Sequence, residues 1–337
     1  MTLTCSDLDL ILFYLSDEIH FPSSAALSSS FSTVWIASGL AKISAAYGSS
    51  LVERNIGTPS KYMTALEYCQ KSNVSSLPIL ISLMGRHEDS IGVARSISAR
   101  PIISSIFVTG DASGHASQAL KAGSHFTEIV TAQLPNRDQR FVNCNSIFML
   151  TALVHRLVEN AYKNKIGKLL NPKILREVFN KAATISKSWV DQIINLPDWH
   201  NRQLVILSDG LISELSITWQ SILAESGVFT ATLGDIKDYT HGDHLAAVRS
   251  ANAIYIVLQH PEIEEVCNIF ISRFSTRFPV VLIDIDTSGV ERFWANLFCC
   301  CNVTDGLSRE LGYRGKRPPK DCEVHSWRGW GKVDNKK

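Results

Sequence analysis

The sequence predicts an α/β protein built from two tandem doubly wound, flavodoxin-like parallel sheets, each in a three-layer α/β/α arrangement. Three observations carry that prediction: β-branched apolar runs that end in turn residues and lead into helical patterns, a repeat of those runs in the second half, and a length and composition suited to two buried cores.

In the first half the runs are Thr33 to Ala37 before Ser38-Gly39, Leu77 to Ser82 before Gly85, and Ile102 to Thr109 before Gly110-Asp111. In the second half they are Gln203 to Leu207 before Asp209-Gly210, Ile254 to Leu258 before His260-Pro261, and Val280 to Ile285 before Asp286. Short β-branched runs bounded by turn residues and followed by helical periodicity are how the strands of βαβ units read. First-strand starts at Val34 and Leu204 lie 170 residues apart, while the second (Ile79, Ile254) and third (Ile106, Val281) pairs are each separated by 175. The local echo of VWIASGL (34–40) in LVILSDGL (204–211) points the same way, with a glycine opening a helix after each strand. One α/β unit has been duplicated.

A chain of 337 residues exceeds what one core usually supports, and a composition 45% hydrophobic and 19% charged suits buried sheets. Between the halves lie a long helical pattern (Asn145 to Glu159), a basic linker (Lys163 to Lys168) and an amphipathic helix (Asn171 to Ile194), closed by the Pro197 region. The expected division is therefore 1–195 for the first domain with its N-terminal and linking helices, 196–312 for the second, and 313–337 for an irregular tail rich in Lys, Arg, Pro, Gly and Trp.

Composition also excludes partners. Lys+Arg number 33 against 32 Asp+Glu, a net charge of +1 without a basic stripe, so no nucleic acid is expected. The longest apolar stretches, Leu77 to Met84 and Val280 to Ile285, fall far short of the roughly 20 residues of a membrane helix. Asp7, Asp9, Asp17 and Glu18 stand where a secretion signal would be basic, and a cytoplasmic location is expected. The eight cysteines contain no C-x-x-C pair, so neither a metal site nor a disulfide framework is signalled, and no cofactor is expected. Cys299 to Cys301 fall in an apolar helical stretch and read as core packing.

Fifteen residues after Gly210 the helical pattern reaches Glu225, and His241-Gly242 follows sixteen residues later within Asp238-Tyr-Thr-His-Gly-Asp-His244. With the order of elements, this spacing resembles the double-SIS (sugar isomerase) family, as in the isomerase portion of glucosamine-6-phosphate synthase. That family carries a Glu and, sixteen residues on, a His in a Lys-His-Gly-Pro motif, with a Glu where this chain has Asp238. The resemblance implies that Glu225 moves a proton between C1 and C2 of a sugar phosphate and that His241 opens the ring. A carboxylate of raised pKa and an imidazole titrating near neutrality suit those tasks. It also implies a homodimer, because this His reaches the site from the neighbouring subunit. By themselves the residues equally fit a solvated helix glutamate and loop histidines at 241 and 244.

The phosphate-binding turns of the family match less closely. Where it has Gly-x-Gly-Thr-Ser, this chain has Ala37-Ser38-Gly39-Leu40-Ala41, without the hydroxyl pair. Where it has Ser-x-Ser-Gly-Glu-Thr, this chain keeps Ser82 and Gly85 and brings in Arg86 and His87. Arg86 and His87 either hold an anion at a helix N-terminus or simply begin an exposed helix with Glu88 and Asp89. In the third turn, Thr109-Gly-Asp-Ala-Ser-Gly114, Ser113 and Gly114 would shape the wall of the site, and Thr109 and Ser113 are expected among its ligand-binding residues. The stretch Arg317-Pro-Pro-Lys320 is similar to the start of a family tail that covers the active site. No amidotransferase domain is expected before the pair of domains, since Thr2 stands where its cysteine would be.

These features imply a protein that binds an anionic sugar or sugar phosphate, as an aldose-ketose isomerase or amino-sugar deaminase. The alternative is a catalytically silent SIS module that senses such a ligand or a nucleotide-like anion.

Overall fold

The six buried runs form strands, and three more strands flank them. In chain order the elements of the computed structural model are α1 (Cys5–Leu15), α2 (Ala25–Ser28), β1 (Thr33–Ala37), α3 (Ala41–Ile56), β2 (Ser60–Thr64), α4 (Ala65–Gln70), β3 (Leu77–Ile81), α5 (Glu88–Ser98), β4 (Ser104–Thr109), α6 (His115–Lys121), β5 (Phe126–Thr131), α7 (Cys144–Ala161) and α8 (Lys163–Ile166). They continue with α9 (Pro172–Ile194), β6 (Gln203–Ser208), α10 (Glu214–Ser226), β7 (Ala231–Asp235), β8 (Ala253–Gln259), α11 (Glu264–Phe274), β9 (Val280–Asp284) and α12 (Gly289–Glu310). The structure describes residues 3–16, 21, 24–71, 75–134, 143–210, 213–242, 244–245, 252–284, 287 and 289–312. The 313–337 tail, including Lys320, Trp327, Arg328, Trp330 and Lys332, lies outside them.

The chain divides into two units. The first, Asp9–Asp138 with Asn143–Leu169, holds a five-stranded all-parallel sheet in the order β2-β1-β3-β4-β5. The second, Met1–Leu8 with Leu170–Lys316, holds a four-stranded parallel sheet in the order β7-β6-β8-β9. Both orders are doubly wound: the chain steps outward from the first strand, then crosses back to the other side. The helix α9, which the sequence reading placed before the boundary at residue 195, packs within the second unit. Its apolar face, including Phe179 and Ala182, meets α12, with the Phe179 and Phe298 rings edge to face at 5.1 Å.

Central strands are covered on both faces, which is why β1, β3 and β8 read as unbroken apolar runs. The indole of Trp35 in β1 is fully buried and donates to Thr33 Oγ1 and Ser60 Oγ, both at 3.1 Å. Gly48 of α3 lies directly over that ring, where an added Cβ would come within 2.5 Å. The last helices of the two units match in role, α7 packing on α3 and α12 on α10 and α9. Both are buried along most of their length, and Cys299, Cys300 and Cys301 sit in the core of α12.

Between α3 and α7 runs a buried polar chain. Ser44 and Thr151 share a hydrogen bond of 2.9 Å, Tyr47 Oη meets His155 Nδ1 at 2.7 Å, and His155 Nε2 meets Glu159 Oε1 at 3.1 Å. Glu159 also accepts from the Leu169 amide at 2.8 Å and faces Arg156 Nη1 at 3.5 Å. No helix among the described residues is long and apolar enough to cross a membrane.

Candidate functional site

In open α/β sheets the loops at the carboxyl ends of the strands, where the winding changes direction, leave room for a ligand. In the five-stranded unit the relevant turns follow β1, β3 and β4. After β1, half-buried Ser38 and exposed Gly39 lead into α3; Gly39 has φ 57°, and the helix begins at Leu40 without a side-chain cap. The sequence explains this, since Leu40 and Ala41 have no hydroxyl to offer the amide groups at the helix start.

The turns after β3 and β4 are joined to each other. Ser82 Oγ accepts from the Gly85 amide at 3.2 Å and from Ser90 Oγ at 2.9 Å. Gly85, at φ 58°, packs against Phe107, and its carbonyl accepts from the Ala116 amide at 2.8 Å. Thr109 Oγ1 donates to Leu83 O at 3.2 Å, and the Gly110 amide reaches the same oxygen at 2.8 Å. His87 caps its own helix, Nδ1 accepting from the Asp89 amide at 3.3 Å. Ser82, Gly85, Arg86, His87, Thr109 and Ser113 are thus brought together at one edge of the sheet.

At the centre of this cluster stands Asp111, a residue the sequence reading passed over as part of a turn. Its Oδ1 accepts from the Ser113 amide at 2.9 Å and from Ser113 Oγ at 2.6 Å, while Oδ2 receives Arg86 Nη2 at 2.8 Å. The two bonds from Ser113, followed by the Arg86 guanidinium, hold the Asp111 carboxyl down to about 2. The signal that could have found it is the Asp-x-Ser spacing, since an Asp side chain bonds its own backbone two residues on. Arg86 is largely exposed and gives Asp111 one of its five N–H bonds among the described residues.

The three residues of the second unit are placed differently. Glu225 is exposed on the last turn of α10, just before Gly227 closes the helix in the left-handed region. Asp238 and His241 are exposed on a 3-10 turn that follows the carboxyl end of β7. Since α10 runs back along the sheet and leads into the amino end of β7, Glu225 and His241 lie at opposite ends of that strand. Five residues of strand span roughly 16 Å. Within one protomer the pair is not assembled.

The carboxyl edge of this second sheet instead gathers Asp209, His260, Glu262 and Arg292. His260 Nε2 meets Asp209 Oδ2 at 2.9 Å, His260 Nδ1 contacts Glu262 Oε2, and Arg292 Nη1 reaches that oxygen at 3.0 Å. The Arg292 hydrogen bond, working against slight burial and joined by the charges of Arg292 and His260, lowers the Glu262 carboxyl below its ordinary range. From the sequence, Ser208-Asp209-Gly210 and His260-Pro261-Glu262 stand at the turns where a second phosphate site would lie and make such a site doubtful; nothing around them announces Arg292 thirty residues on, and sequence reasoning missed that partner.

No family model matches the sequence, and neither does any curated protein. Solved structures do resemble this one. A glucosamine-6-phosphate deaminase from Thermotoga maritima superimposes with a TM-score of 0.68 at 13% identity, over 94% of this chain and 97% of that one. The C-terminal domain of glucosamine-fructose-6-phosphate aminotransferase from Francisella tularensis gives a TM-score of 0.61 at 14% identity, over 93% of each chain. At such identities the likeness speaks for architecture, and it spans the length of both proteins: the chain is built on the double-SIS fold.

Proposed function

We propose that the protein binds a phosphorylated sugar at the carboxyl edge of its five-stranded sheet, with Arg86 and the α5 amino terminus as the anion donors. The observation that carries this reading is the turn after β3. There Gly85 in the left-handed region turns the chain into α5 and sets an exposed guanidinium beside the start of that helix. A helix amino terminus and a guanidinium together favour a phosphate. Ser38, Ser82, Thr109 and Ser113 would line the same edge, the last three as framework, since their hydroxyls serve the turns themselves.

A second reading, that the bound sugar is isomerised or deaminated, is favoured by the exposure of Glu225 and of Asp238 and His241. Side chains open to solvent at opposite ends of β7 suit a site completed by a second copy, so a homodimer belongs to this reading. Glu225 would then move the proton and His241 open the ring. A cytoplasmic location fits a sugar phosphate as ligand.

Calorimetric titration with glucose-, fructose- and glucosamine-6-phosphate tests the first reading. Arg86→Ala should weaken binding about 10- to 100-fold, the range of a charge-assisted hydrogen bond. Undiminished affinity in that variant would overturn it. Incubation in D2O tests the second: deuterium should enter at C1 or C2 with the wild type and not with Glu225→Gln.

A further inference from the structure

The cluster at the carboxyl edge of the four-stranded sheet plays no part in that reading. It lies where the winding reverses between β6 and β8, the place at which an open α/β sheet leaves room for a ligand. His260 directly follows β8, and its side chain is 2% exposed; Arg292, on the first turn of α12, has a side chain 8% exposed. Both turn toward one oxygen of Glu262, a residue on a 3-10 turn whose side chain is 73% exposed.

The asymmetry is informative. Two side chains that are almost wholly buried converge here on a carboxylate whose side chain is largely exposed. His260 Nδ1, moreover, is buried and faces Glu262 Oε2. Its other nitrogen is already matched by Asp209, so Glu262 chiefly answers the charge of Arg292.

We propose that this place is an oxyanion-binding site which Glu262 fills in the ligand-free chain, and that the terminal oxyanion of a phosphate monoester or a carboxylate displaces it. The surrounding charges dictate exchange over addition. Asp209 Oδ2 already faces His260 Nε2 at 2.9 Å on the other side of the ring from Glu262. A further negative charge entering beside Glu262 would be repelled by both carboxylates. One that takes its place leaves the local charge unchanged for a singly charged group. Glu262 therefore acts as a tethered competitor that sets the affinity of the site. The site lies in the other unit from the proposed sugar-phosphate turn and does not depend on it.

The test uses the full chain and two probes, inorganic phosphate and acetate, followed by calorimetry and by the side-chain NMR signal of Arg292. Glu262→Ala should bind at least one probe about tenfold or more tighter than the wild type, the effect of removing a tethered competitor. The midpoint of thermal unfolding should rise with that probe in the variant. Preference for phosphate or for acetate tells which oxyanion the site takes. Adding Arg292→Met to Glu262→Ala should abolish the gain. Equal affinity in wild type and Glu262→Ala, or a gain that survives Arg292→Met, would overturn the proposal. Should Glu262→Ala fail to fold, Glu262→Gln keeps the shape without the charge and is held to the same outcomes. Arg86→Ala should leave the gain intact, which separates this site from the other.

Discussion

Replacing Glu159 by Gln should destabilise the five-stranded unit more than any other single loss of charge there. The carboxylate is 7% exposed and serves three partners: His155 Nε2, Arg156 Nη1 and the Leu169 amide. Glutamine keeps the size and can still accept from Leu169, but it removes the buried negative charge that faces the Arg156 guanidinium at 3.5 Å and the His155 ring at 3.1 Å. Removing one partner of a buried ion pair costs about 3–5 kcal/mol. For a unit of this size each kcal/mol moves the melting temperature by about 2–4 °C, so a fall of about 6–20 °C is expected.

The pH dependence supplies a second check. Burial pushes the Glu159 carboxyl up, but the hydrogen bond and charge of His155, the Leu169 amide and the charge of Arg156 outweigh it, and the net shift is downward. A group whose folded pKa is lowered stabilises fully above its unfolded value of about 4.3, and loses that contribution as pH falls through the folded value. The gap between wild type and Glu159→Gln in scanning calorimetry should therefore be full at pH 7 and close at acid pH. A gap below about 1 kcal/mol at neutrality, or one indifferent to acid, would refute the reasoning.

Two further outcomes follow from packing and burial. Gly48→Ala drives a methyl into the Trp35 ring and should cost about 1–3 kcal/mol by urea unfolding, whereas Gly92→Ala on α5, with nothing within 4 Å, should gain up to about 1 kcal/mol from helix propensity. With native protein at pH 8, iodoacetamide should modify Cys5 and Cys69 and spare Cys267 and Cys299. Burial pushes both of the latter thiols up to about 12, leaving about one in ten thousand as thiolate, and peptide mapping reads the result.

The inner strands were legible because a strand covered on both faces must be apolar at every position, as in LPILI or AIYIVLQ. Of the outer strands, β9 was legible from its apolar run VVLID, but β2, β5 and β7 were not. SKYMT, FTEIVT and ATLGD each bury only alternate or scattered residues, since one flank of the strand has no neighbour, and their polar content reads as loop. The apolar stripe of α9 announced a helix but not which core would receive it. At the candidate sites, residues adjacent in sequence, such as Ser82 and Arg86, could be named. Asp111 with Arg86, and His260 with Arg292, are joined by the folding of separate turns, and no local pattern announces such pairs.

The two sheets differ in one respect that shapes the rim of the second. In the first unit the chain goes from β4 through α6 to β5 before its last helix; in the second it passes from β9 to α12 with no fifth strand among the described residues. Among those residues β9 pairs only with β8, so half of its backbone amides and carbonyls point outward as a ready seam for another extended chain. The strand is five residues long and closes on Asp284, a short run ending in a charge, which is how natural proteins discourage strangers from stitching onto such a border.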